Sequence, residues 1–184
     1  MRIVAGEFRS RRLVCPRGDK TRPSSDRFRE SVFASLADVH DARCLDLFAG
    51  TGALGLEALS RGAATCTFGE VDRAAVDAIR TNIATLGVEA RTRLVVGDFR
   101  RLLRADAAAG TRYDLLLVDP PYRTLRDFHP ALERSFAGLA APGSRLVVES
   151  GAREEPAFDG FELVSRRRVG AATLSIMIRT EDPN

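Results

Sequence analysis

Hydrophobic and polar positions change period repeatedly along this chain, and the changes mark its elements. Residues 113–119 (YDLLLVD) are almost wholly apolar, as a strand covered on both faces requires. Shorter apolar runs at 44–48, 64–70, 92–97 and 145–150 have strand length. Between them the apolar residues recur at helical spacing over 72–86, closed by Gly87, and helices are also predicted over 99–108 and 128–139. Upstream, Phe28, Val32 and Leu36 recur at i, i+4, i+8 and predict a helix over 25–39, with Ser24 or Ser25 as its cap and Asp26 in its first turn. Two short β-compatible pieces, 2–4 and 12–14, suggest a small hairpin at the start. Runs 161–169 and 172–179 across Gly170 suggest a second hairpin at the end. Repeated strand–helix units imply an α/β, Rossmann-like fold, a mostly parallel doubly wound sheet with an antiparallel C-terminal hairpin and a small N-terminal hairpin extension.

The stretch 44–62, CLDLFAGTGALGLEALSRG, organises the rest. A strand carrying Asp46 breaks at Gly50-Thr51-Gly52, and a helix follows, closed by Gly62. Glycines let a ligand approach the backbone, and the N–H groups of the first helical turn point at it. The spacing Gly50-x-Gly52-x-x-Gly55 also satisfies the dinucleotide fingerprint, which keeps a nicotinamide-dependent oxidoreductase in view. Asp46 favours S-adenosylmethionine instead: a carboxylate at the strand end can hold the ammonium of a bound amino acid and would repel a pyrophosphate.

Charge changes this picture at the N-terminus only. The chain of 184 residues carries +3 overall, but residues 1–30 hold nine Lys/Arg against four acids, a balance of +5 that leaves −2 for the remainder. A basic arm (Arg9, Arg11, Arg12, Arg17, Lys20, Arg22, Arg27) on a near-neutral body suits a polyanion. The expected division is therefore a basic, nucleic-acid-binding extension over 1–24 and a catalytic domain over 25–184. Three cysteines without ligand spacing and two histidines give no case for a metal. The N-terminus lacks the apolar core of a signal peptide and no run is long enough to span a bilayer, so the expectation is a cytoplasmic protein, with a monomer as the default.

Ligands of a doubly wound sheet sit beyond the carboxyl ends of its strands. Four acids fall there: Asp46, Glu70, Asp98 and Asp119. Any one of them can simply cap the next helix, and Asp98 is placed to do so. As ligands to an adenosyl cofactor, Glu70 can accept both ribose hydroxyls, Val71 can pack on an adenine face, Asp98 can accept the adenine amine, and the Phe99 N–H can donate to the ring. Phe48, Ala49, Gly50 and Gly52 form the turn against which the cofactor lies.

Asp119-Pro120-Pro121-Tyr122 points to the reaction. An exocyclic amine on a nucleobase is a poor nucleophile because its lone pair is delocalised. Accepting its two hydrogens at the Asp119 carboxylate and the Pro120 carbonyl would turn that lone pair toward an electrophile. The prolines fix the acceptors in place, Tyr122 offers a stacking face, and Arg123 can meet an adjacent phosphate.

These residues, with Arg2-Ile3-Val4-Ala5-Gly6, Thr21-Arg22-Pro23-Ser24-Ser25-Asp26-Arg27-Phe28-Arg29-Glu30 and Asp46-Leu47-Phe48-Ala49-Gly50-Thr51-Gly52, make the chain resemble the bacterial RsmD family. That family comprises methyltransferases acting on guanine N2 of small-subunit (16S) ribosomal RNA. Ser24 and Phe28 stand where the family usually has Thr and Val. The resemblance implies S-adenosylmethionine as donor, a class I methyltransferase fold with a seven-stranded sheet, an N-terminal extension that engages RNA, and the 30S subunit as partner. Asp at 119 is compatible with guanine N2, whereas adenine-N6 enzymes more often carry Asn, so an adenine-N6 methyltransferase is the alternative. A non-catalytic RNA-binding module is the bland rival.

Overall fold

The computed structural model describes residues 1–16, 26–36, 38–120 and 125–180. Seven strands form one sheet in the order β3-β2-β1-β4-β5-β7-β6. The strands are β1 (Arg43–Leu47), β2 (Thr65–Glu70), β3 (Thr92–Val96), β4 (Tyr113–Val118), β5 (Ala140–Gly151), β6 (Phe161–Val169) and β7 (Ala172–Arg179). Strands β1 to β5 pair in parallel, and β7 runs antiparallel between β5 and β6. The helices are α1 (Asp26–Ser35), α2 (Ala53–Ser60), α3 (Arg73–Leu86), α4 (Phe99–Ala108) and α5 (Leu125–Leu139). This is the Rossmann-like sheet with the closing hairpin that the sequence predicts. The strand order reverses between β1 and β4, so a crevice is expected above that pair.

Two apolar layers cover the sheet. On one face, side chains of α1, α2 and α3 (Val32, Leu56, Ile79) pack on Cys44, Cys66 and Leu115. On the other, α4 and α5 (Leu103, Leu132, Phe136) pack on Leu45, Leu47 and Leu116. Alternate residues of β1 thus serve opposite layers, as the period of a strand requires.

Three boundaries differ from the sequence reading by several residues. Helix α1 stops at Ser35, short of 39. Helix α5 begins at Leu125 and carries Pro130 in its second turn. Strand β5 begins at Ala140 rather than 145, because it resumes pairing after a bulge: Tyr113 faces Ala140, and Leu115 next faces Arg145. Pro142 and Gly143 (φ 75°) occupy that bulge, where a residue without an N–H is tolerated.

The first fourteen residues form the expected hairpin, with one antiparallel bridge between Arg2 and Arg12. It is bound to the body rather than projecting from it. Ile3 and Leu13 lie in the α1–α3 layer, and Glu57 of α2 accepts from the N–H groups of Val4 (2.8 Å) and Ala5 (3.0 Å). The division at 24 and 25 falls outside the described residues.

Candidate functional site

Strand β1 ends in a turn of left-handed conformations: φ is 60° at Phe48, 57° at Gly50 and 75° at Gly52. A non-glycine residue is strained there, and Phe48 accepts that strain. Gly52 caps α2 but has no side chain with which to do it. The strand supplies one instead: Asp46 Oδ2 accepts from the Gly55 N–H at 2.9 Å. Gly55 has to be glycine for a different reason. A Cβ there would sit 2.5 Å from Cys66 Sγ and from the Phe68 ring. The third glycine of the pattern therefore lets α2 lie on the sheet.

Asp46 is 1% exposed, and its second oxygen, Oδ1, is buried with no hydrogen-bond partner among the described residues. Burial pushes this carboxyl well above the usual carboxylate range; the Gly55 N–H opposes the shift, and the nearby charges of Asp119 and Glu70 add to it. Three acids thus converge where β1, β2 and β4 end. A buried carboxylate oxygen facing like charges is costly unless something cationic arrives.

Glu70 closes the other side of the turn. Its Oε2 accepts from the Gly50 N–H at 2.7 Å, and its Oε1 from the N–H groups of Val71 (2.7 Å) and Asp72 (2.9 Å). Ala49 donates to the Gly69 carbonyl at 3.2 Å, so the turn is tied to β2 at two points. Beside Glu70, Val71 is 69% exposed, an apolar side chain left open at the rim. Asp98 takes the capping role that the sequence offered beside the ligand one: its Oδ1 accepts from the Arg100 N–H at 2.7 Å and its Oδ2 lies 3.3 Å from the Arg100 guanidinium, with the side chain 48% exposed. It is the N-cap of α4, the role an acid takes at a positive helix end.

An aromatic wall lines the α4–α5 side. The Phe48 ring stacks on Phe128 at 5.3 Å and 7°, Phe99 meets both at 5.1 Å, and the Arg100 guanidinium lies 4.7 Å above Phe99. Phe128 was legible only as a helix residue, because its partners are 80 and 29 positions away. Asp119 is half-buried and Pro120 buried at the end of β4. Pro121, Tyr122 and Arg123 lie outside the described residues, as do Arg17, Lys20 and Arg22. Arg9, Arg11, Arg12 and Arg27 are exposed, and among the described residues none of them pairs with a carboxylate.

The site suits S-adenosylmethionine in three respects: an unpartnered buried carboxylate oxygen for a cation, a glycine turn beneath it, and an acid with an exposed valine where a nucleoside would lie. Among the described residues no group of three or more His, Cys, Asp or Glu could hold a metal ion, and no helix is long and apolar enough to cross a membrane.

Comparison with known proteins bears on this arrangement. The family described as conserved hypothetical protein 95 matches residues 1–178. The ribosomal RNA small subunit methyltransferase D of Escherichia coli K12 is 46% identical over 124 residues. That stretch is 67% of this chain but 61% of the relative, less than two thirds of the relative's length. Among solved structures, yhhF of Escherichia coli superposes with a TM-score of 0.84 at 37% identity, covering 98% of both chains. A hypothetical protein of Thermus thermophilus gives 0.82 at 30%, covering 96% of this chain and 98% of the other.

Proposed function

Because the chain belongs to the conserved hypothetical protein 95 family, the RsmD family, we propose that it is an S-adenosylmethionine-dependent methyltransferase acting on the N2 amine of a guanine in 16S ribosomal RNA. The observation that carries this reading is the buried Asp46 Oδ1, unpartnered and facing Asp119 and Glu70. A pyrophosphate would meet three carboxylates there, whereas a cationic amino acid with a sulfonium meets what it needs.

Bound S-adenosylmethionine supplies an activated methyl group. The protein's residues do the rest by placement. Asp46 and the turn 48–52 hold the amino-acid end, while Glu70 and Val71 hold the nucleoside. Glu70 already spends both oxygens on backbone N–H groups, so it acts as a bifurcated acceptor, fixing the turn with the same carboxylate that meets the ribose. Asp119 and the Pro120 carbonyl accept the two hydrogens of the target amine and aim its lone pair. Stacking of the extruded base on Tyr122 and stiffening of the adjacent backbone by Pro121 are roles assigned from the sequence. No strong general base is needed, since the proton leaves after the nitrogen has become cationic. Alignment of this kind can be worth about 7–11 kcal/mol of barrier. Exposed Arg9, Arg11, Arg12 and Arg27 supply phosphate contacts, with Arg17, Lys20, Arg22 and Arg123 assigned from sequence.

The test is to incubate the protein with 30S subunits, and separately with naked 16S rRNA, in the presence of labelled S-adenosylmethionine, and to map the modified base. Methyl on a guanine N2 supports the reading. Methyl on adenine N6, or no transfer, overturns it.

A further inference from the structure

Asn82, in the middle of α3, is fully buried, and none of the site chemistry above uses it. Its primary amide makes three hydrogen bonds. Oδ1 accepts from the Val14 N–H at 2.7 Å, and Nδ2 donates to the Val14 carbonyl at 3.1 Å. The second Nδ2 hydrogen goes to the Thr51 carbonyl at 3.0 Å. Asn82 therefore treats the end of the arm as a strand would and holds the middle residue of the glycine turn with its remaining donor.

The same turn residue is touched from the other end of the arm. Thr51, 5% exposed, places its hydroxyl 3.6 Å from Met1 Sδ, and Leu13 donates to the Met1 carbonyl at 3.1 Å. Between these points the arm grips α2, the helix that the turn begins. Glu57 takes the N–H groups of Val4 and Ala5, and the Ser60 hydroxyl donates to the Ala5 carbonyl (2.6 Å) while accepting from the Phe8 N–H (3.0 Å). The segment bearing exposed Arg9, Arg11 and Arg12 is thus joined to the turn and to α2 through part-buried polar contacts, with the Asn82–Thr51 bond itself buried.

We propose that Asn82 is a positioning residue that couples the arm to the cofactor turn, so that RNA on the arm and cofactor at the turn strengthen one another's binding. This rests on the reading that the arm takes RNA and the turn takes S-adenosylmethionine. Val14 of the arm and Thr51 of the turn are held by the same Asn82 amide, so a ligand that restrains one restrains the other. Coupling between sites is reciprocal by thermodynamic necessity.

The experiment uses the full chain, with S-adenosylhomocysteine and naked 16S rRNA as probes. Saturating rRNA should tighten S-adenosylhomocysteine about fivefold or more in the wild type, and by less than about twofold in Asn82→Leu, which keeps the volume but removes the polar contacts. The unmutated protein gives a second measurement that stands even if the variant does not fold. S-adenosylhomocysteine alone should slow amide hydrogen exchange in residues 11–15, and rRNA alone should slow it in residues 50–54. Unchanged coupling in Asn82→Leu, or exchange at 11–15 that ignores S-adenosylhomocysteine, would overturn the proposal. If both probes bind the wild type with independent affinities, the coupling alone fails. If S-adenosylhomocysteine does not bind, or neither naked rRNA nor the 30S subunit does, the functional reading beneath it fails as well.

Discussion

The two ends of the sheet carry similar numbers of acids and treat them in opposite ways. Where the strands begin, Asp114 has a cation of its own. Arg43 brackets Asp114 with its backbone N–H (2.9 Å), Nε (3.0 Å) and Nη2 (3.1 Å), which holds the Asp114 carboxyl below the usual range. Nearby, Arg145 donates to the Asp38 carbonyl at 3.0 Å and His40 lies 3.1 Å from Asp41. A cleft of about 350 Å³ opens there, and Asp114 on its wall already has its counterion in Arg43. Where the strands end, Asp46 faces Asp119 and Glu70, and its carboxyl is pushed up. A charge that has found its counterion within the fold is structural; one held among like charges is arranged for something the fold does not contain.

Substitutions can break this contrast, and Asp119 should show the largest effect. Asp119→Ala is expected to lower methyl transfer by a factor of about 10²–10³ or more, the scale of one preorganised polar contact to reacting atoms, while S-adenosylhomocysteine affinity in calorimetry stays nearly unchanged. Normal turnover would remove Asp119 from the mechanism. Glu70→Ala should instead weaken S-adenosylhomocysteine by about 1.5–3 kcal/mol, as for a charge-assisted hydrogen bond; unchanged affinity would leave Glu70 only its turn-bracing role. Gly55→Ala, whose new methyl would overlap Cys66 and Phe68, should cost about 1–3 kcal/mol of stability in denaturant unfolding. The smallest effect belongs to the paired end. A double-mutant cycle on Arg43 and Asp114, whose side chains are 50% and 39% exposed, should give a coupling of about 0.2–1 kcal/mol with no change in turnover.

Much of this contrast was legible in the sequence, because apolar runs and glycines are local signals. The almost wholly apolar run 113–118 reads as a central strand, and it is one. Asp46, Glu70 and Asp119 could be placed because each stands where an apolar run stops. What the sequence concealed was partnership. At Asp98 a cap and a ligand contact read alike in the sequence, and the structure shows the cap. Nothing in the helical pattern of 73–86 distinguishes Asn82 from an ordinary interior amide, since its partners, Val14 and Thr51, are 68 and 31 residues away. Glu57 reads as a surface acid on a short helix, yet it is fully buried because two N–H groups of the arm and Arg61 (2.9 Å) converge on it. Pro142-Gly143 looked like a strand boundary, whereas a bulge lets β5 include both.

The central claim is that Asp46 is held ready for a cation, and the pH dependence of cofactor binding tests it most directly. A carboxyl raised in the folded state favours its protonated form; its contribution to stability is complete below the unfolded pKa and is lost as pH rises through the folded one. In the ligand-free protein, rising pH therefore charges Asp46 at a cost to stability. A cation at Oδ1 draws the group back to its ionised form, so binding should release a proton, and affinity should rise with pH up to about tenfold per unit until Asp46 is ionised without ligand. Calorimetry of S-adenosylhomocysteine binding in buffers of different ionisation enthalpy measures both quantities. The account predicts proton release and rising affinity in the wild type, both absent in Asp46→Asn; an affinity independent of pH, or the same slope in Asp46→Asn, would contradict it.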